Sequence, residues 1–323
     1  MKHYFITNPA AGKKSSCELL AESIRKACEE KGVFYEIYET KCVRDATEYV
    51  KGICEAHKES ASDEKLRFYA CGGDGTLGEV VSGAVGYPFA SVGIIPKGTG
   101  NDFVRNFKNK ELFFDIAAQL DGKECTIDVL SCNDMYSINM VNIGFDCEVV
   151  KKMVKIKRFP LVPSKLAYIL GVLPTFITKP GVNASVSVDG GEARKMSLLL
   201  MTIANGCYCG GGFHSNPEAL VTDGKINALF VNNIKRLRFL KLVSSYKKGT
   251  HLVPENASVL SSEDCRTLDF IFDGVQSASI DGEIHDINGK LHFEIIPGGL
   301  NFIIPDGSEF IKDDNKLKEE AHV

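Results

Sequence analysis

Several features that would classify this 323-residue sequence at once are absent from it. No segment approaches the ~18 uninterrupted apolar residues that a membrane-spanning helix needs. The first residues reach Asn8-Pro9 too early for the apolar core of a signal peptide. There are no internal repeats and no low-complexity tracts. We therefore predict a globular, cytoplasmic protein.

The cysteines lack the spacing of a zinc site or of a disulfide framework. There are eleven of them, an odd number, and none form a C-x-x-C pair. The two that lie closest together are Cys207 and Cys209. This pattern favours reduced, mostly buried thiols in a reducing compartment.

The Walker A phosphate-binding motif is also absent, because Gly12-Lys13-Lys14-Ser15 lacks the upstream glycine. The net charge of −4 and the 44% of hydrophobic residues are typical of a globular protein. The length is sufficient for two domains. A nucleotide site in this chain must therefore use a different loop.

The stretch Leu66–Ser82 combines an apolar run, a glycine turn and a helical pattern. Leu66–Cys71 predicts a buried strand of a parallel sheet, and a helix is expected to follow the turn. Unpaired N–H groups at a helix start attract anions, and glycines let a phosphate approach closely. Asp74 would repel that phosphate unless a cation such as Mg²⁺ lay between them. The stretch predicts a metal–nucleotide site.

A dinucleotide site is the competing interpretation, because Gly73, Gly75 and Gly78 satisfy G-x-G-x-x-G between a strand and a helix. That fingerprint expects an acidic residue about 20 positions further on, at the end of the next strand. The next predicted strand, Ser91–Ile95, is followed instead by a second glycine loop, PKGTGND at 96–102. The second loop disfavours the dinucleotide interpretation.

The first 125 residues alternate between predicted strands and helices. The strands are Tyr4–Thr7, Val33–Glu39, Leu66–Cys71 and Ser91–Ile95. The first helix, capped by Ser15 or Ser16, is expected to bury one apolar face, consisting of Leu19, Leu20, Ile24 and Ala27. Such alternation predicts an α/β domain, a parallel sheet with helices on both faces, whose ligands lie at the carboxyl ends of the strands.

From about Cys125 the apolar residues recur at every second position, which predicts a second, mostly antiparallel domain. We place the domains at 1–125 and 126–299, with the segment 300–323 packing back on the first domain and its charged end fraying. The predicted strands are 126–130, 136–143, 182–188, 197–204, 226–231, 268–272, 278–280, 291–296 and 300–304. Two helices are expected, near Lys165–Phe176 and Arg236–Tyr246.

Three motifs together resemble the diacylglycerol kinase catalytic family in its small, soluble bacterial form. They are an Asn-Pro-x-x-Gly turn at 8–12, GGDGT at 72–76 and PKGTGNDF at 96–103. GGDGT alone would also fit NAD kinases and phosphofructokinases, but the loop at 98–102 argues against both. Further matching motifs lie at 142–146, 210–212, 217–224 and 281–283, so the resemblance covers nearly the whole chain.

The resemblance implies an N-terminal ATP-binding domain, a C-terminal β-sandwich and an active site in the cleft between them. Asp74 would hold a catalytic Mg²⁺ through water. ATP would be the co-substrate, and its γ-phosphate would pass to the hydroxyl of diacylglycerol to give phosphatidate. The residues implied to contact ATP are Asn8, Pro9, Ala10, Ala11, Gly12, Thr40, Gly73, Asp74, Gly75, Thr76, Leu77, Gly78, Glu79 and Thr99.

In the second domain the resemblance implies a general base. Glu283 would take the proton of the lipid hydroxyl, with Asp281 beside it and Asp128 supporting the network. From the residues alone, the alternative is that Asp281-Gly282 is a hairpin turn, for which Asp-Gly is a strong signal. His214 and His285 lie near these motifs, but we assign them no catalytic role, because histidines in turns are usually solvated.

A structural Mg²⁺ is also implied, held by the Asp223 carboxylate and by the carbonyl groups of Leu220 and Lys225. Asp223-Gly224 by itself would more simply indicate a turn. Some relatives carry a second Asp where this chain has Thr222. That difference leaves open how many acidic groups connect the structural metal with the reactive one.

Two long windows, Val149–Val188 and Gly224–Pro254, contain basic residues but no acidic ones. Each holds seven Lys or Arg residues, with apolar residues among them. This composition predicts transient docking on an anionic membrane surface through Lys151–Arg158 and Lys235–Lys248. The alternative is that the apolar groups are core and the basic groups are solvated surface.

The predicted partners are a lipid substrate and the inner face of the membrane, to which the protein would be peripheral. Nucleic acid is not expected, because no stacking motif or recognition helix is present. A homodimer is left open. The lipid acceptor could instead be phosphatidylglycerol, undecaprenol or a sphingoid base. A non-catalytic binding protein of the same fold is the remaining alternative, although both Asp74 and Glu283 are present.

Overall fold

The computed structural model describes residues 1–9, 14–60, 62–145, 147, 181–234 and 236–311. The chain divides into two compact units, residues 1–127 with 299–323, and residues 128–298. The boundaries predicted at 125 and 299 lie beside these breaks. The chain passes from one unit to the other twice, within the strands Lys123–Cys132 and Glu283–Ile304.

The first unit is built on a parallel sheet, as the alternating sequence predicts. Its strands are β1 (Lys2–Thr7), β2 (Phe34–Glu39), β3 (Leu66–Gly72) and β4 (Ala90–Pro96), and their order is β4-β3-β1-β2. Asn301 and Phe302 continue the sheet by pairing in parallel with Ser91 and Val92 of β4. The residues just after 299 therefore add a strand to the first unit.

The helices of the first unit are α1 (Lys14–Lys31), α2 (Asp45–Glu59), α3 (Asp74–Ala84) and the short α4 (Ile116–Leu120). Helix α1 buries Leu20, Ile24 and Cys28 against the sheet, together with Phe5 of β1. The prediction that Leu19 shares this face is wrong, because its side chain is 64% exposed. The buried positions are spaced by four residues, which turns Leu19 away from the sheet.

Both faces of this sheet are buried. Phe5 and Tyr69 pack on the α1 side, and their neighbours Tyr4 and Phe68, which point the other way, are buried as well. Helices α2 and α3 contact each other closely, since a Cβ at Gly83 of α3 would lie 2.7 Å from the Thr47 carbonyl of α2. A small antiparallel pair, β5 (Phe107–Lys108) with β17 (Glu309–Phe310), completes the unit.

The second unit is mostly antiparallel. Its strands are β6 (Lys123–Cys132), β7 (Met135–Ser137), β8 (Met140–Gly144), β9 (Val182–Val188), β10 (Arg194–Ala204), β11 (Tyr208–Cys209), β12 (Phe213–His214), β13 (Ile226–Asn232), β14 (Leu260–Cys265), β15 (Thr267–Ile280) and β16 (Glu283–Ile304). The main strands run in the order β14-β13-β10-β8-β15-β16, and β9 pairs with both β10 and β15. Their aromatic side chains, such as Phe230, Phe270 and Phe293, meet in one core.

Helix α5 (Arg236–Lys248) packs on this unit by its later residues. Tyr246 is buried in a second apolar cluster, and Leu242 and Val243 pack against that cluster. Arg238, Lys241 and Lys248 of α5 are exposed. The predicted helix near Lys165–Phe176 and the basic residues of the first window, Lys151–Arg158, lie outside the described residues, as does Lys235.

All eleven cysteines are free thiols and most are buried. Burial raises the pKa of Cys28 to about 11 and that of Cys54 to about 12. Cys42, in the loop between β2 and α2, is exposed. Within the described ranges no helix is both long and apolar enough to cross a lipid bilayer.

Candidate active site

Loops that follow the four parallel strands lie at one edge of the first unit's sheet. Thr7 of β1 pairs with Glu39 of β2 and with Cys71 of β3, and Gly72 of β3 pairs with Pro96 of β4. The residues that immediately follow the ends of these strands are therefore neighbours. The Thr40 N–H donates to the Thr7 carbonyl at 2.9 Å, and the Asn8 N–H donates to the Cys71 carbonyl at 3.3 Å. This is the edge at which ligands of parallel α/β sheets bind.

The two glycine loops are packed backbone against backbone. The Lys97 N–H donates to the Gly72 carbonyl at 2.7 Å. A Cβ at Gly98 would lie 2.6 Å from the Cα of Gly73, so position 98 has no room for a side chain. The loop that follows β4 is thereby held against the start of α3, where Gly73 is the residue before the first helical turn.

Asp74, the first residue of α3, fastens the two loops together. Its Oδ1 accepts the backbone N–H groups of Asp102, at 2.8 Å, and Phe103, at 3.3 Å. A carboxylate in the first turn is also stabilised by the helix dipole. A metal is the one explanation of Asp74 that the sequence offers, and these two donors give the residue a structural role as well.

The position also suits a water-mediated Mg²⁺, because the two oxygens of a carboxylate can accept about four hydrogen bonds. Mg²⁺ is commonly held by one or two carboxylates together with substrate phosphates and water. In the part of the chain that the structure describes, no group of three or more His, Cys, Asp or Glu side chains is arranged to hold a metal. A metal at Asp74 would take its other ligands from phosphate and water.

The remaining predicted ATP contacts have different environments. Asn8 Nδ2 donates to Thr76 Oγ1 at 3.2 Å, which joins the first loop to α3. The side chain of Leu77 is buried in the core, and Glu79 Oε2 accepts the Ala46 N–H at the start of α2 at 3.2 Å. Glu79 therefore ties α2 to α3. Thr99 is exposed.

Of the predicted first turn, Ala10, Ala11 and Gly12 lie outside the described residues, whereas Asn8 and Pro9 lie within them. Gly73, Gly75 and Gly78 are partly exposed around the start of α3, as an anion site requires. The structure thus brings Asn8, Thr40 and the loop at 72–76 to one edge.

In the second unit, Asp128 of β6 is a buried connector. Its Oδ2 accepts the Gly224 N–H at 2.7 Å and its Oδ1 accepts the Gly298 N–H at 2.8 Å. Its own N–H donates to the Val221 carbonyl at 2.8 Å. The carboxylate therefore fixes the turn at 220–225, in which Asp223 Oδ1 accepts the Lys225 N–H at 3.1 Å.

This turn is compatible with the implied structural metal. Asp223 is partly exposed, and Gly224 has a φ of 68°, in the left-handed region that a tight turn needs. A carboxylate with backbone carbonyls such as those of Leu220 and Lys225 is a hard, all-oxygen donor set of the kind that Mg²⁺ prefers.

Asp281 and Gly282 form the two-residue turn between β15 and β16. Their φ angles, 45° and 91°, are both positive, as in a type I′ hairpin, and Ile280 pairs with Glu283 across the turn. The hairpin interpretation left open by the sequence is therefore correct for the backbone.

The Asp281 carboxylate is nevertheless buried, and it organises the neighbouring chain. It accepts the Ser137 hydroxyl at 2.7 Å and the N–H groups of Ile138, Asn139 and Met140 at 2.9–3.1 Å. Burial raises the pKa of Asp281, and these hydrogen bonds, led by that of Ser137, oppose the rise. The same contacts explain why the strand predicted at 136–143 is interrupted at 138–139.

Glu283, the proposed base, opens β16 and is not buried, since its side chain is 42% exposed. His285 Nε2 lies 4.0 Å from Glu283 Oε2. The expectation that His214 and His285 occupy solvated turns is wrong. Both lie in strands, and burial lowers the pKa of His214, which stacks on Tyr208.

One connecting residue was missed by the sequence argument. Asn205, fully buried after β10, donates from Nδ2 to the carbonyls of Asp128 and Ile138, each at 2.8 Å. It therefore joins the strand that carries Asp128 to the segment that Asp281 holds. An asparagine followed by glycine after an apolar strand indicates a turn, and only the fold shows which carbonyls it reaches.

Two family models cover most of the chain. A diacylglycerol kinase catalytic domain matches residues 2–132, and a YegS C-terminal NAD kinase beta sandwich-like domain matches residues 139–304. A diacylglycerol kinase of Bacillus subtilis is 25% identical over 305 residues, which cover 89% of this chain and 94% of that protein. A protein assigned as a lipid kinase in Staphylococcus epidermidis is 26% identical over 286 residues, covering 88% and 89%.

The fold is also that of a solved structure. The crystal structure of a protein assigned as a diacylglycerol kinase from Bacillus anthracis matches with a TM-score of 0.72 and 21% identity, covering 94% of this chain and 96% of that one. The two family models account for both units, and the glycine loops and the Asp-Gly-Glu hairpin lie within their ranges. The chain therefore belongs to the diacylglycerol kinase family of ATP-dependent lipid kinases, with a catalytic domain followed by a YegS-type β-sandwich domain.

Proposed function

We propose that this protein transfers the γ-phosphoryl group of ATP to the hydroxyl of diacylglycerol, giving phosphatidate. The observation that carries the proposal is the pair of interlocked glycine loops, held by Asp74 at the start of α3. Phosphoryl transfer depends mainly on positioning and on charge neutralisation, and these loops supply backbone N–H groups and a helix start for the phosphates.

In this proposal the residues of the first unit bind the nucleotide. The N–H groups at the start of α3 would face the phosphates, and Asn8 keeps Thr76 in place through its 3.2 Å hydrogen bond. Asp74 would hold Mg²⁺ through water. The metal would neutralise charge that develops on the transferred phosphoryl group.

Residues of the second unit would act on the acceptor. Glu283 would take the proton of the lipid hydroxyl, for which its partly exposed carboxylate is accessible. Asp281 and Asp128 are buried and their oxygens accept backbone N–H groups, so we assign them positioning roles. Asp223, with the carbonyls of Leu220 and Lys225, would hold a structural Mg²⁺.

We also propose that α5 contacts an anionic membrane surface. Arg238, Lys241 and Lys248 are exposed, while Leu242 and Tyr246 pack inward. Among the side chains of α5 that the structure describes, the exposed ones are therefore mostly basic, which favours electrostatic attraction to lipid headgroups. The first basic window, Lys151–Arg158, would act with it.

The test of the reaction is incubation of the purified chain with labelled ATP, Mg²⁺ and a panel of acceptors in mixed micelles. The panel holds diacylglycerol, phosphatidylglycerol, undecaprenol and a sphingoid base. We expect label in phosphatidate and little in the other products. Label in another lipid would show that the protein is a kinase with a different acceptor. If no lipid is labelled although ATP binds, a non-catalytic binding protein would be favoured.

A further inference from the structure

Lys97 is the one residue of the sequence PKGTGND that brings a positive charge into the second glycine loop, and it is not among the residues assigned to ATP, to a metal or to the base. Its N–H is fixed on the Gly72 carbonyl at 2.7 Å, and it immediately precedes Gly98, which lies against Gly73. The Lys97 backbone is therefore held beside the start of α3. Its side chain is partly exposed.

The other charges of the two loops are engaged with each other. Arg105 Nε lies 3.2 Å from Asp102 Oδ1, and its Nη2 donates to the Gly100 carbonyl at 3.2 Å. Asp74 accepts two backbone N–H groups. Within the described ranges, the Lys97 ammonium makes no hydrogen bond and no ion pair. It is available to a ligand in a way that the Arg105 guanidinium is not.

The position of the ammonium is indicated by its effect on Cys71, the residue before Gly72. Burial raises the pKa of this thiol, and the positive charge of Lys97 acts in the opposite direction. The ammonium therefore lies within electrostatic range of the carboxyl end of β3, the end from which the first glycine loop leaves.

We propose that the Lys97 ammonium binds the phosphate groups of ATP. The inference rests on the proposed function, because it needs the nucleotide site in the first unit. Without Lys97, the loops would present two carboxylates, Asp74 and Asp102, and a single guanidinium to a polyanion. A lysine ammonium is a compact charge with three donors and a common phosphate ligand. In this chain it would supply the charge that a Walker A lysine supplies in P-loop proteins.

The test is isothermal titration of the full chain, without lipid, with ATP, ADP, AMP and adenosine. Lys97→Gln should weaken ATP binding by about 10- to 100-fold, the usual worth of a charged hydrogen bond. The loss should shrink from ATP to AMP and vanish for adenosine. Lys97→Arg, which keeps the charge, should lose far less. Lys51→Gln, an exposed lysine on α2, is the matched control and should bind all four like the wild type.

A second readout uses the unmutated protein. Lys97 should be acetylated by an amine-reactive reagent in the free protein and protected by ATP, while Lys51 should react equally in both cases. This labelling remains decisive if Lys97→Gln fails to fold, which its melting temperature will reveal.

Each outcome decides the matter. Equal ATP affinity of the wild type and Lys97→Gln, or equal labelling with and without ATP, would overturn the role of Lys97 and leave the kinase proposal standing. An equal loss for adenosine and ATP would mean that the substitution distorts the loop, and would also overturn it. If the wild type binds no ATP, the proposed function and the role of Lys97 fail together.

Discussion

Asp74 Oδ1 accepts the backbone N–H of Asp102 at 2.8 Å across 28 positions of sequence. The same oxygen accepts the Phe103 N–H, so one side chain couples the start of α3 to the loop that follows β4. The Asp74 carboxylate is both a negative charge and a hydrogen-bond acceptor. Two different substitutions can remove the charge alone or the charge together with the acceptor.

Asp74→Asn keeps the Oδ1 acceptor but removes the charge. We expect the melting temperature to stay close to that of the wild type, and turnover with Mg²⁺ to fall by about 10²-fold or more, as for loss of an electrostatic stabiliser. Asp74→Ala, which also removes the acceptor, should lower the melting temperature too. Near wild-type turnover of Asp74→Asn would exclude a metal role for this residue.

Glu283→Gln tests the proposed base. Removal of the proton acceptor should lower kcat by about 10²- to 10⁴-fold and leave the affinity for ATP unchanged. Glu294→Gln is the control, since Glu294 is an exposed residue of the same strand. If ATP binding were lost and the residual kcat stayed high, Glu283 would not be the base.

Gly98→Ala tests the contact between the glycine loops. The new Cβ would lie 2.6 Å from the Gly73 Cα, so the loops must separate, and both ATP affinity and melting temperature should fall. Gly52→Ala, at an open position inside α2, should instead stabilise the protein by about 0.5–1 kcal/mol. An active, stable Gly98→Ala protein would contradict the observed loop packing.

His3 should make the protein less stable in mild acid. Its ring is buried beside the Tyr69 hydroxyl at 3.1 Å, and its pKa is lowered to about 4, mainly by burial and in addition by the positive charges of Arg67 and the amino terminus. Between pH 6.5 and pH 4 the unfolded chain binds a proton that the folded chain does not. The free energy of unfolding should therefore decrease as the pH is lowered from 6.5 to 4, by up to about 3 kcal/mol from this group.

The measurement is urea unfolding of wild type and His3→Gln at several pH values. The substituted protein should show a shallower loss, and what remains should come from groups such as His251, whose pKa burial also lowers to about 4. Parallel curves for the two proteins would show that His3 is protonated equally in both states.

Replacement of Arg238 and Lys241 by Gln tests the contact with membranes. Binding to anionic vesicles should weaken by about fivefold per charge, and high salt should have the same effect. Turnover of a short-chain, water-soluble diacylglycerol should not change. The measurement is co-sedimentation of the wild type with neutral or anionic vesicles, at low and at high salt. Equal sedimentation under all four conditions would rule out this role for α5.

The sequence predicted the first unit well because its strands are short, apolar and separated by glycine turns. The predictions were wrong where the local composition does not match the strand pairing in the structure. Asp273-Gly274 suggests a turn between two strands, yet Gly274 lies in a bulge within the continuous β15, where pairing with β16 shifts between Ile271 and Val275. Strand β14 was missed because LSSEDC is largely polar, as a strand at the edge of a sheet can be.

The candidate site was predictable only in part. The conflict between the Asp74 carboxylate and a phosphate indicated a special environment, but its partners at 102 and 103 depend on how the second loop folds back. For Asp281, a hairpin turn and a role beside the catalytic base were the two interpretations, and the structure shows the turn together with a buried, hydrogen-bonded carboxylate. The sequence pattern predicts the backbone conformation of such a residue. It does not predict which N–H and O–H groups will donate hydrogen bonds to its side chain.

The exposure of Cys42 gives this protein a single preferred point of chemical attachment. The buried thiols, with pKa values raised as for Cys28 and Cys54, react slowly with maleimides, whereas the exposed Cys42 should react first. It lies two residues after Thr40, in the loop that leaves the ligand-binding edge of the sheet. If Thr40 contacts the nucleotide as proposed, a fluorophore on Cys42 should change its emission when ATP binds, and no engineered cysteine is needed.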